Sequence, residues 1–171
     1  MTKVAERPQA TNIDDEKRDT ARQELIDQLN GDLSREYQAI IGYVIYSQTL
    51  KGAAYMAIAT ELEAHAGEEL AHALIIAKQI DYLGGTITAV PKPVRTSEDV
   101  EDMLRFDLDN ERETILQYRQ RVNQCEALGE YAIAEHIREI LLHEQDHLID
   151  LATALGETPP ALNGSGLKRR K

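Results

Sequence analysis

Glu144-Gln145-Asp146-His147, near the end of the chain, has the same residue types at its two ends as an earlier stretch, Glu69-Leu70-Ala71-His72. Each stretch places a carboxylate and an imidazole three residues apart. On an α-helix, residues i and i+3 lie on one face about one turn apart, so both side chains can reach one cation. A single Glu-x-x-His is common by chance on a charged helix. The two copies are informative only if the chain around them repeats as well.

A shift of 75 residues brings the two halves of the chain into register. Six residues of metal-ligand type coincide under this shift: Glu36 with Glu111, Glu69 with Glu144, and His72 with His147. Four apolar or aromatic positions also coincide: Leu29 with Leu104, Leu33 with Leu108, Tyr43 with Tyr118, and Leu62 with Ile137. Ligand-type residues that repeat within a repeat of apolar ones predict two copies of one helical hairpin. Each hairpin provides a lone glutamate from its first helix and a glutamate/histidine pair from its second.

Apolar residues at three- and four-residue spacing, with glycine or proline near the ends of the runs, predict four helices. Their approximate spans are 20–50, 53–83, 97–128 and 130–155. Thr20 and Gln23 resemble a capping box, which predicts the start of the first helix. Asn30-Gly31 within this helix predicts either a bend or a later start.

A stretch without helical periodicity, Gly85 to Thr96, separates the second helix from the third and contains Pro91 and Pro93. An extended stretch of this length reaches about 40 Å, which is also about the length of a 27-residue helix. It can therefore run the full length of the second helix, so that the third helix starts parallel to the second. The predicted fold class is all-α, a four-helix bundle with one long crossover between the second and third helices.

Both ends of the chain lack a regular apolar pattern. Residues 1–19 are polar and carry both charge signs, so a flexible N-terminal arm is expected. Residues 156–171 contain two prolines, Gly164-Ser165-Gly166 and the basic run Lys168–Lys171, so a flexible basic tail is expected. Residues 20–155 are predicted to form one domain.

Composition limits the function classes. The 171 residues carry a formal net charge of −11, which favours the attraction of cations over general nucleic-acid binding. Cys125 is the only cysteine, so no internal disulfide can form, and the reducing cytoplasm is the expected location. No apolar run reaches the length of a membrane span, so no membrane partner is expected.

Four glutamates lie in the middle of otherwise apolar helix faces: Glu36, Glu69, Glu111 and Glu144. Any one of them is ordinarily part of a solvated charged face. Four ionised carboxylates buried together with two neutral imidazoles would cost several kcal/mol each. Two divalent cations neutralise the four charges and also use His72 and His147. Carboxylate and imidazole ligands suit iron or manganese better than a thiolate-seeking metal, and zinc is a possible substitute.

The ligand-type residues resemble the di-iron set of the bacterioferritins, within the ferritin-like superfamily: Glu36, Glu69-Leu-Ala-His72, Glu111 and Glu144-Gln-Asp-His147. The resemblance spans about residues 20–155 and includes the segment from Ser97 to Glu111, which is close to the opening of that family's third helix. Carried over residue by residue, the terminal ligands are Glu36 and Glu111, the bridging ligands Glu69 and Glu144, and the histidine ligands His72 and His147. Tyr43 matches a tyrosine beside the metal centre of that family.

The same resemblance implies an activity and a cofactor. Two iron ions per subunit are expected at the centre formed by the six ligands and Tyr43. Fe(II) is expected to be oxidised there by dioxygen or hydrogen peroxide. Fe(III) mineral is expected to be stored inside a hollow homo-oligomer. The resemblance therefore implies a ferroxidase and iron-storage protein.

Two departures from the bacterioferritin pattern change these expectations. Bacterioferritins bind haem through a methionine directly after the bridging glutamate of the second helix, where this chain has Leu70, so haem is not expected. They also have a short fifth helix that helps to close a 24-subunit shell, and residues 156–171 show no such helical pattern. A twelve-subunit shell like that of the mini-ferritins, or a smaller assembly, stays open.

Two alternative functions stay open. The first is a peroxide-consuming, DNA-protecting mini-ferritin, in which the tail Lys168–Lys171 contacts DNA phosphates. The second is a non-storing di-metal oxidase or peroxidase. A chain with one cysteine cannot supply the Cys-x-x-Cys module of rubrerythrin-type peroxidases.

Residues outside the repeat of ligands have less specific interpretations. His65 lies one turn before Glu69 on the same face, and is either an accessory iron ligand or an ordinary buried histidine. His136 and His143 lie off the ligand face and are expected at the surface. Cys125 is expected to pack as a small apolar residue.

Overall fold

The computed structural model describes residues 11–162. Four α-helices make up most of this part of the chain: α1 (Thr11–Thr49), α2 (Met56–Tyr82), α3 (Val100–Leu128) and α4 (Tyr131–Ala154). A short 3₁₀ helix, Ala53–Tyr55, precedes α2. No strand occurs among the described residues, and the predicted all-α class is confirmed. Within the same residues, no helix combines the length and the apolar character needed to cross a membrane.

The helices pack as two hairpins. α1 lies against α2 and α3 lies against α4, and the hairpins meet through the pairs α1/α3 and α2/α4. Gly129 ends α3 in the left-handed region, with a φ of 77° that favours glycine. The chain can therefore turn from α3 into α4 through Gly129 and Glu130 alone.

The connection between the hairpins, residues 83–99, lies along α1. Hydrogen bonds join successive residues of the connection to successive residues of that helix: Thr86 and Thr88 to Asn30, Lys92 to Ser34, Pro93 to Gln38, and Arg95 to Tyr46. The connection therefore spans the bundle, and α3 begins near the end at which α1 stops. The predicted long crossover is confirmed.

The start of α1 differs from its prediction. The helix begins at Thr11, so the predicted start at Thr20 is wrong. Thr20 is not an N-cap, because its hydroxyl donates to the carbonyl of Glu16 at 2.9 Å within the helix. The helix also continues through Asn30-Gly31, so the later start considered there is wrong as well.

The start of α3 also differs from its prediction. The helix begins at Val100, not near Ser97, because Asp99 is the N-cap. The Asp99 side chain accepts a hydrogen bond from the N–H of Asp102 at 3.1 Å. Ser97 instead accepts a bond from the N–H of Asp99 at 3.0 Å, in the turn before the helix.

Two apolar clusters fill the bundle, one on each side of a buried polar layer. The first cluster joins the early part of α1 and the late part of α2 to the second hairpin, and includes Leu25, Leu29, Leu33, Ile76, Ile80, Val122, Ile133 and Ile137. The second cluster joins the opposite parts of the same helices, and includes Tyr46, Leu50, Leu62, Leu104, Leu108, Leu148 and Leu151. Between the two clusters lie the buried ionisable residues.

The segment that follows α4 contacts the bundle over its described part. Arg119 donates to the carbonyl of Leu162 at 3.1 Å, and Arg105 pairs with Glu157 at 2.7 Å. The side chain of Leu162 packs against the second apolar cluster. The tail predicted from residue 156 therefore lies on α3 as far as residue 162. The rest of that tail, residues 163–171, and residues 1–10 of the predicted arm lie outside the described residues.

Candidate metal centre

The six predicted ligands come from all four helices and meet in the buried polar layer. α1 supplies Glu36, α3 supplies Glu111, α2 supplies Glu69 and His72, and α4 supplies Glu144 and His147. Each of the six is at most 3% exposed. The structure therefore brings together all of the ligand-type residues that the 75-residue repeat singled out.

Two overlapping groups of ligand atoms form this centre. Glu36 and His72 belong to the first group, Glu111 and His147 to the second, and Glu69 and Glu144 to both. The ligand atoms of each group lie within 4.8 Å of one another. The arrangement suits two metal ions side by side, with the two shared glutamates between them.

Both imidazoles direct Nδ1 into the centre. Nδ1 of His72 lies 3.1 Å from Oε1 of Glu144 and 3.2 Å from Oε2 of Glu69. Nδ1 of His147 lies 3.0 Å from Oε1 of Glu69. The Nδ1 atom of each histidine is therefore the nitrogen available to a metal.

The centre contains buried polar atoms that no well-aligned hydrogen bond satisfies among the described residues, although three of them lie 3.0–3.1 Å from another predicted ligand atom. They are Oε2 of Glu36, Oε1 of Glu69, Oε2 of Glu111, Oε1 of Glu144 and Nδ1 of His147. An unsatisfied buried polar atom costs about 1–3 kcal/mol, and more if it is charged. Five such atoms in one place are difficult to explain by packing. They fit a pair of cations that accept their lone pairs.

Burial raises the pKa of three of the four glutamates. The pKa of Glu36 and that of Glu111 lie well above the usual range, because both groups are buried and face other carboxylates. For the same reasons the pKa of Glu144 rises to about 8. Glu69 is the exception. Burial alone would raise its pKa, but close polar contacts with Glu36 and with both imidazoles hold it well below its usual value.

The histidines are more basic than usual. Burial alone would lower the pKa of His72, but its close contacts with carboxylates, that with Glu144 first, raise it to about 12. Burial alone would lower the pKa of His147, but its close contact with Glu69 and the charges of Glu111 and Glu69 raise it to about 9. Without metal, protons therefore offset the negative charge of the centre. Metal binding must release these protons.

Two tyrosines connect the halves of the centre. Tyr43 of α1 donates a hydrogen bond to Glu111 of α3, and Tyr118 of α3 donates one to Glu36 of α1. Both phenols are fully buried, and burial raises the pKa of each well above its usual value. Sequence reasoning named Tyr43 as a site residue and missed Tyr118. The 75-residue repeat, which places Tyr43 on Tyr118, was the signal that could have identified it.

The outer nitrogens of both predicted ligand histidines also have partners. Oε2 of Glu68 lies 2.7 Å from Nε2 of His147, and Nδ1 of His143 lies 3.0 Å from Nε2 of His72. Glu68 and His143 occupy equivalent positions in the repeat, each directly before a shared glutamate. His143 is exposed, as predicted, yet one of its nitrogens contacts a ligand. Both partners hold an imidazole in one orientation, and sequence reasoning missed this role.

The model of the Ferritin family, which describes a ferritin-like domain, matches residues 26–160 of the chain. The chain belongs to this family. The match takes in α1 from residue 26 and the whole of α2, α3 and α4, and it includes every one of the six predicted ligand positions. The bundle and its central site therefore lie within the family's domain.

Curated relatives support the same assignment. The chain is 26% identical to a bacterioferritin of Brucella melitensis over 140 residues, which cover 78% of this chain and 87% of the relative. It is 30% identical to a bacterioferritin of Desulfovibrio desulfuricans, over 77% of this chain and 74% of the relative. The resemblance to bacterioferritins noted in the sequence is confirmed.

Two solved structures have the same fold. One is of ferritin like, diiron-carboxylate proteins from Bacillus anthracis, with a TM-score of 0.76 and 34% identity over 79% of this chain and 97% of that chain. The other is a dodecameric thioferritin from Bacteroides fragilis, a bacterioferritin-related protein, with a TM-score of 0.73 and 31% identity over 79% of this chain and 86% of that chain. The ferritin-like four-helix bundle is therefore confirmed.

Leu70, which replaces the haem-ligating methionine of bacterioferritins, is 53% exposed on α2 and points away from the centre. A leucine side chain has no lone pair for iron, so the purified protein is expected to bind no haem even when haem is supplied. Absorption spectra check this expectation. A Soret band at stoichiometric occupancy with bis-methionine character would contradict it.

His65 lies beside the centre but outside the six ligands. Its ring stacks on that of His147, with 4.0 Å between centroids, and meets Tyr43 edge-on at 5.4 Å. Burial lowers its pKa to about 4, so the ring is neutral at neutral pH. A neutral, buried imidazole is a possible metal ligand.

Cys125 and His136, for which the sequence predicted no part in the metal centre, lie where they were expected. Cys125 is fully buried in the first apolar cluster, and burial raises the pKa of its thiol to about 11. His136 lies at the surface of α4, 3.5 Å from Glu139. Neither residue contacts the centre.

A narrow pocket between α1 and α3 reaches the centre. Its lining joins the partly exposed Arg35, Gln38 and Asn110 to the four glutamates of the centre. Arg35 is held at this pocket by an ion pair with Glu113. The pocket therefore marks a side of the bundle on which the buried carboxylates come near the surface.

Proposed function

We propose that this chain is a ferroxidase and iron-storage protein. It oxidises Fe(II) with dioxygen or hydrogen peroxide at the dinuclear site within each subunit, and it stores the Fe(III) mineral inside a hollow homo-oligomer. The observation that carries the proposal is the set of six buried ligands whose unsatisfied atoms converge in two overlapping groups. Iron, manganese and zinc all accept this donor set, and the relatives favour iron.

The six ligands have separate tasks in this proposal. Glu36 and His72 would hold one cation, Glu111 and His147 would hold the other, and Glu69 and Glu144 would be shared between them. Two bound Fe(II) ions supply the electrons that reduce the oxidant. The protein's contribution is a fixed pair of adjacent sites in a dry bundle.

The residues around the ligands fix this arrangement. Tyr43 and Tyr118 each hold a terminal glutamate by a hydrogen bond from the opposite hairpin. Glu68 and His143 each hold a ligand imidazole by its outer nitrogen. Because these partners set the direction of the ligand atoms, we expect metal binding to require little rearrangement.

Storage requires an assembly, and two observations support one. The structural relative from Bacteroides fragilis is dodecameric. In this chain, large apolar residues are exposed at three- and four-residue spacing on α1 and α2: Ile41, Val44, Leu70 and Leu74. An apolar surface of this kind favours contact between subunits. DNA contact by Lys168–Lys171 lies outside the described residues and forms no part of the proposal.

Iron loading of the purified full chain tests the proposal. Size-exclusion chromatography with light scattering gives the oligomer, Fe(III) absorbance gives the initial oxidation rate, and iron analysis gives the amount retained. We expect an oligomer that retains far more iron than two ions per chain, and oxidation that is lost in Glu69→Ala and Glu144→Ala.

The two parts of the proposal can fail separately. Unchanged initial rates in Glu69→Ala and Glu144→Ala would exclude the central site as the ferroxidase centre. Rapid oxidation with no more than two iron ions retained per chain would show a non-storing di-metal oxidase.

A further inference from the structure

The two predicted metal positions have equivalent ligands in the repeat but different surroundings. Glu36 and His72 belong to the α1/α2 position, and Glu111 and His147 belong to the α3/α4 position. Two differences distinguish these positions, and both place more negative charge near the α3/α4 position.

The first difference concerns the outer nitrogens of the two imidazoles. Nε2 of His147 lies 2.7 Å from the carboxylate of Glu68, whereas Nε2 of His72 lies 3.0 Å from Nδ1 of His143. Burial alone would raise the pKa of Glu68, but its hydrogen bond with His147 lowers it, so Glu68 is ionised at neutral pH. A carboxylate partner makes an imidazole a stronger donor to a metal. The imidazole of His143 carries no negative charge and cannot do the same for His72.

The second difference concerns an aspartate four residues before each terminal glutamate. Asp32 precedes Glu36 and Asp107 precedes Glu111, and the two aspartates are counterparts in the repeat. Both are buried. Asp32 is neutralised within the fold, because Nε of Arg121 lies 2.6 Å from its Oδ2 atom. The α1/α2 position therefore has no uncompensated acid beside its terminal glutamate.

Asp107 has no such partner. The counterpart of Arg121 in the repeat is Tyr46, whose phenol donates to the carbonyl of Arg95. The guanidinium of Arg95 is itself on the exposed side of the chain, over the ring of Phe106. Oδ2 of Asp107 is buried with no hydrogen-bond partner among the described residues. A buried, unpaired carboxyl group of this kind destabilises the fold unless a cation lies near it.

A divalent ion at the α3/α4 position would stabilise this carboxyl group. Burial, and then the charges of Glu111 and Glu69, raise the pKa of Asp107 well above its usual range. A cation held by Glu111 favours the ionised form of Asp107, and the ionised form in turn attracts the cation. Asp32 cannot respond in this way, because an arginine already pairs with it.

We infer that the two positions bind divalent transition-metal ions such as Fe(II), Co(II) or Zn(II) with unequal affinity, and that the first ion to bind takes the α3/α4 position. Glu68 and Asp107 set this preference without being ligands. The inference rests on the dinuclear site of the proposed function, but it requires neither oxidation nor storage.

Co(II) binding to the metal-free full chain tests the preference. Crystals given less Co(II) than the centre can hold are expected to show a stronger anomalous peak at Glu111 and His147 than at Glu36 and His72. Equilibrium titration in solution is expected to show two steps whose Kd values differ by about 10–100-fold.

Glu68→His/His143→Glu exchanges the partners of the two imidazoles. Because a partner of this kind changes metal affinity by about 10–100-fold, the stronger peak is expected to move to the α1/α2 position. Glu63→His/His136→Glu exchanges the same residue types at surface positions of α2 and α4 and is the matched control. It is expected to keep the stronger peak at the α3/α4 position.

Asp107→Asn keeps the size of the side chain and removes its charge. It is expected to weaken Co(II) at the α3/α4 position about tenfold, and to change the α1/α2 position less. Asp109→Asn, at an exposed acid of the same helix, is expected to change neither affinity. A purely structural role of Asp107 would alter the melting temperature and leave the ratio of the two Kd values unchanged.

The inference is overturned if the two peaks of the wild type are equal at low Co(II), or if the stronger peak lies at Glu36 and His72. It is also overturned if Glu68→His/His143→Glu and Asp107→Asn both keep the wild-type ratio of peaks. Equal filling of the two positions would contradict the inference alone. The absence of Co(II) from both positions would contradict the proposed function as well.

Discussion

Glu68 is not a predicted ligand, but its carboxylate acts directly on one. Its carboxylate contacts Nε2 of His147, while Nδ1 of His147 points to the centre. A carboxylate in this position makes the imidazole a better donor and fixes its ring, and the loss of such a partner typically reduces metal affinity by 10–100-fold.

Glu68→Gln is therefore expected to weaken one of the two central metal ions by about 10–100-fold. Co(II) or Zn(II) titration measures this change. Glu63→Gln, at an exposed residue of the same helix, is the matched control and is expected to leave both affinities unchanged. Equal weakening in the two variants would show an effect of surface charge alone.

Sequence reasoning identified the six ligand-type residues because the repeat relates each residue to a counterpart of the same chemistry. It missed Tyr118, because a tyrosine at a core position is usually only part of the packing. It missed the contacts of Glu68 and His143, because these depend on the rotation of α2 against α4. Such rotations come from side-chain packing, which no residue spacing reports.

Among the elements, the crossover depends on a few hydrogen bonds to α1. The Asn30 side chain makes two of them, donating to the carbonyl of Thr86 at 3.0 Å and accepting from the N–H of Thr88 at 2.8 Å. These bonds begin the path along α1 that brings α3 to its starting position. They also explain why an asparagine lies in the middle of a long helix.

Asn30→Ala is expected to lower the free energy of unfolding by about 1–2 kcal/mol, since a typical hydrogen bond contributes about 1 kcal/mol. For a chain of this size, that corresponds to about 2–8 °C in melting temperature. Asn123→Ala, at an exposed position of α3, controls for the higher helix propensity of alanine. If both variants melt alike, the crossover does not depend on Asn30.

The helices were predicted from apolar periodicity, and this explains why the predicted start of the first helix was too late. Residues 15–20 of α1 are exposed and bury no face in the chain, so only local propensity indicates a helix there. The two hairpins and the long crossover followed from the repeat and from the length of the stretch between Gly85 and Thr96. The route of the crossover along α1 depends on individual hydrogen bonds and had no sequence signal.

At the scale of the whole molecule, the protons of the centre connect stability to pH. The pKa of Glu144 rises from 4.5 to about 8 on folding, and that of His147 from 6.5 to about 9. The pKa values of Glu36 and Glu111 are also raised. Between about pH 4.5 and 9 the folded chain therefore holds more protons than the unfolded chain.

The metal-free protein is accordingly expected to become less stable as the pH rises from 5 to 8. Two lowered pKa values act in the opposite direction: that of Glu69, only in acid below its usual value, and that of His65, only below about pH 6.5, where it offsets part of the slope. When the pKa of a single group changes by one on folding, the free energy of unfolding changes by about 1.4 kcal/mol. For a chain of this size, the melting temperature then changes by about 3–6 °C. Thermal melts across this range measure the slope, and a melting temperature that rises from pH 5 to pH 8 would contradict it. Glu36→Gln/Glu111→Gln is expected to show a smaller slope, because its amides do not ionise.

Metal binding is expected to reverse this loss of stability at neutral pH. At a concentration about 1,000 times Kd, one bound ion adds about 4 kcal/mol to the free energy of unfolding. Fe(II), or redox-inert Zn(II), should therefore raise the melting temperature of the wild type. Glu36→Gln/Glu111→Gln should be at least as stable without metal and gain much less from it. Equal gains in both proteins would place the ions on the acidic surface.

Each hairpin supplies the phenol that the other hairpin's terminal glutamate requires, through the pairs Tyr43–Glu111 and Tyr118–Glu36. Proteins built from repeats often unfold one repeat at a time, because each repeat contacts only its neighbours. Here the departure of one hairpin would leave a buried glutamate of the other without its donor. We therefore expect the duplicated sequence to unfold as one cooperative unit, and neither half to fold alone.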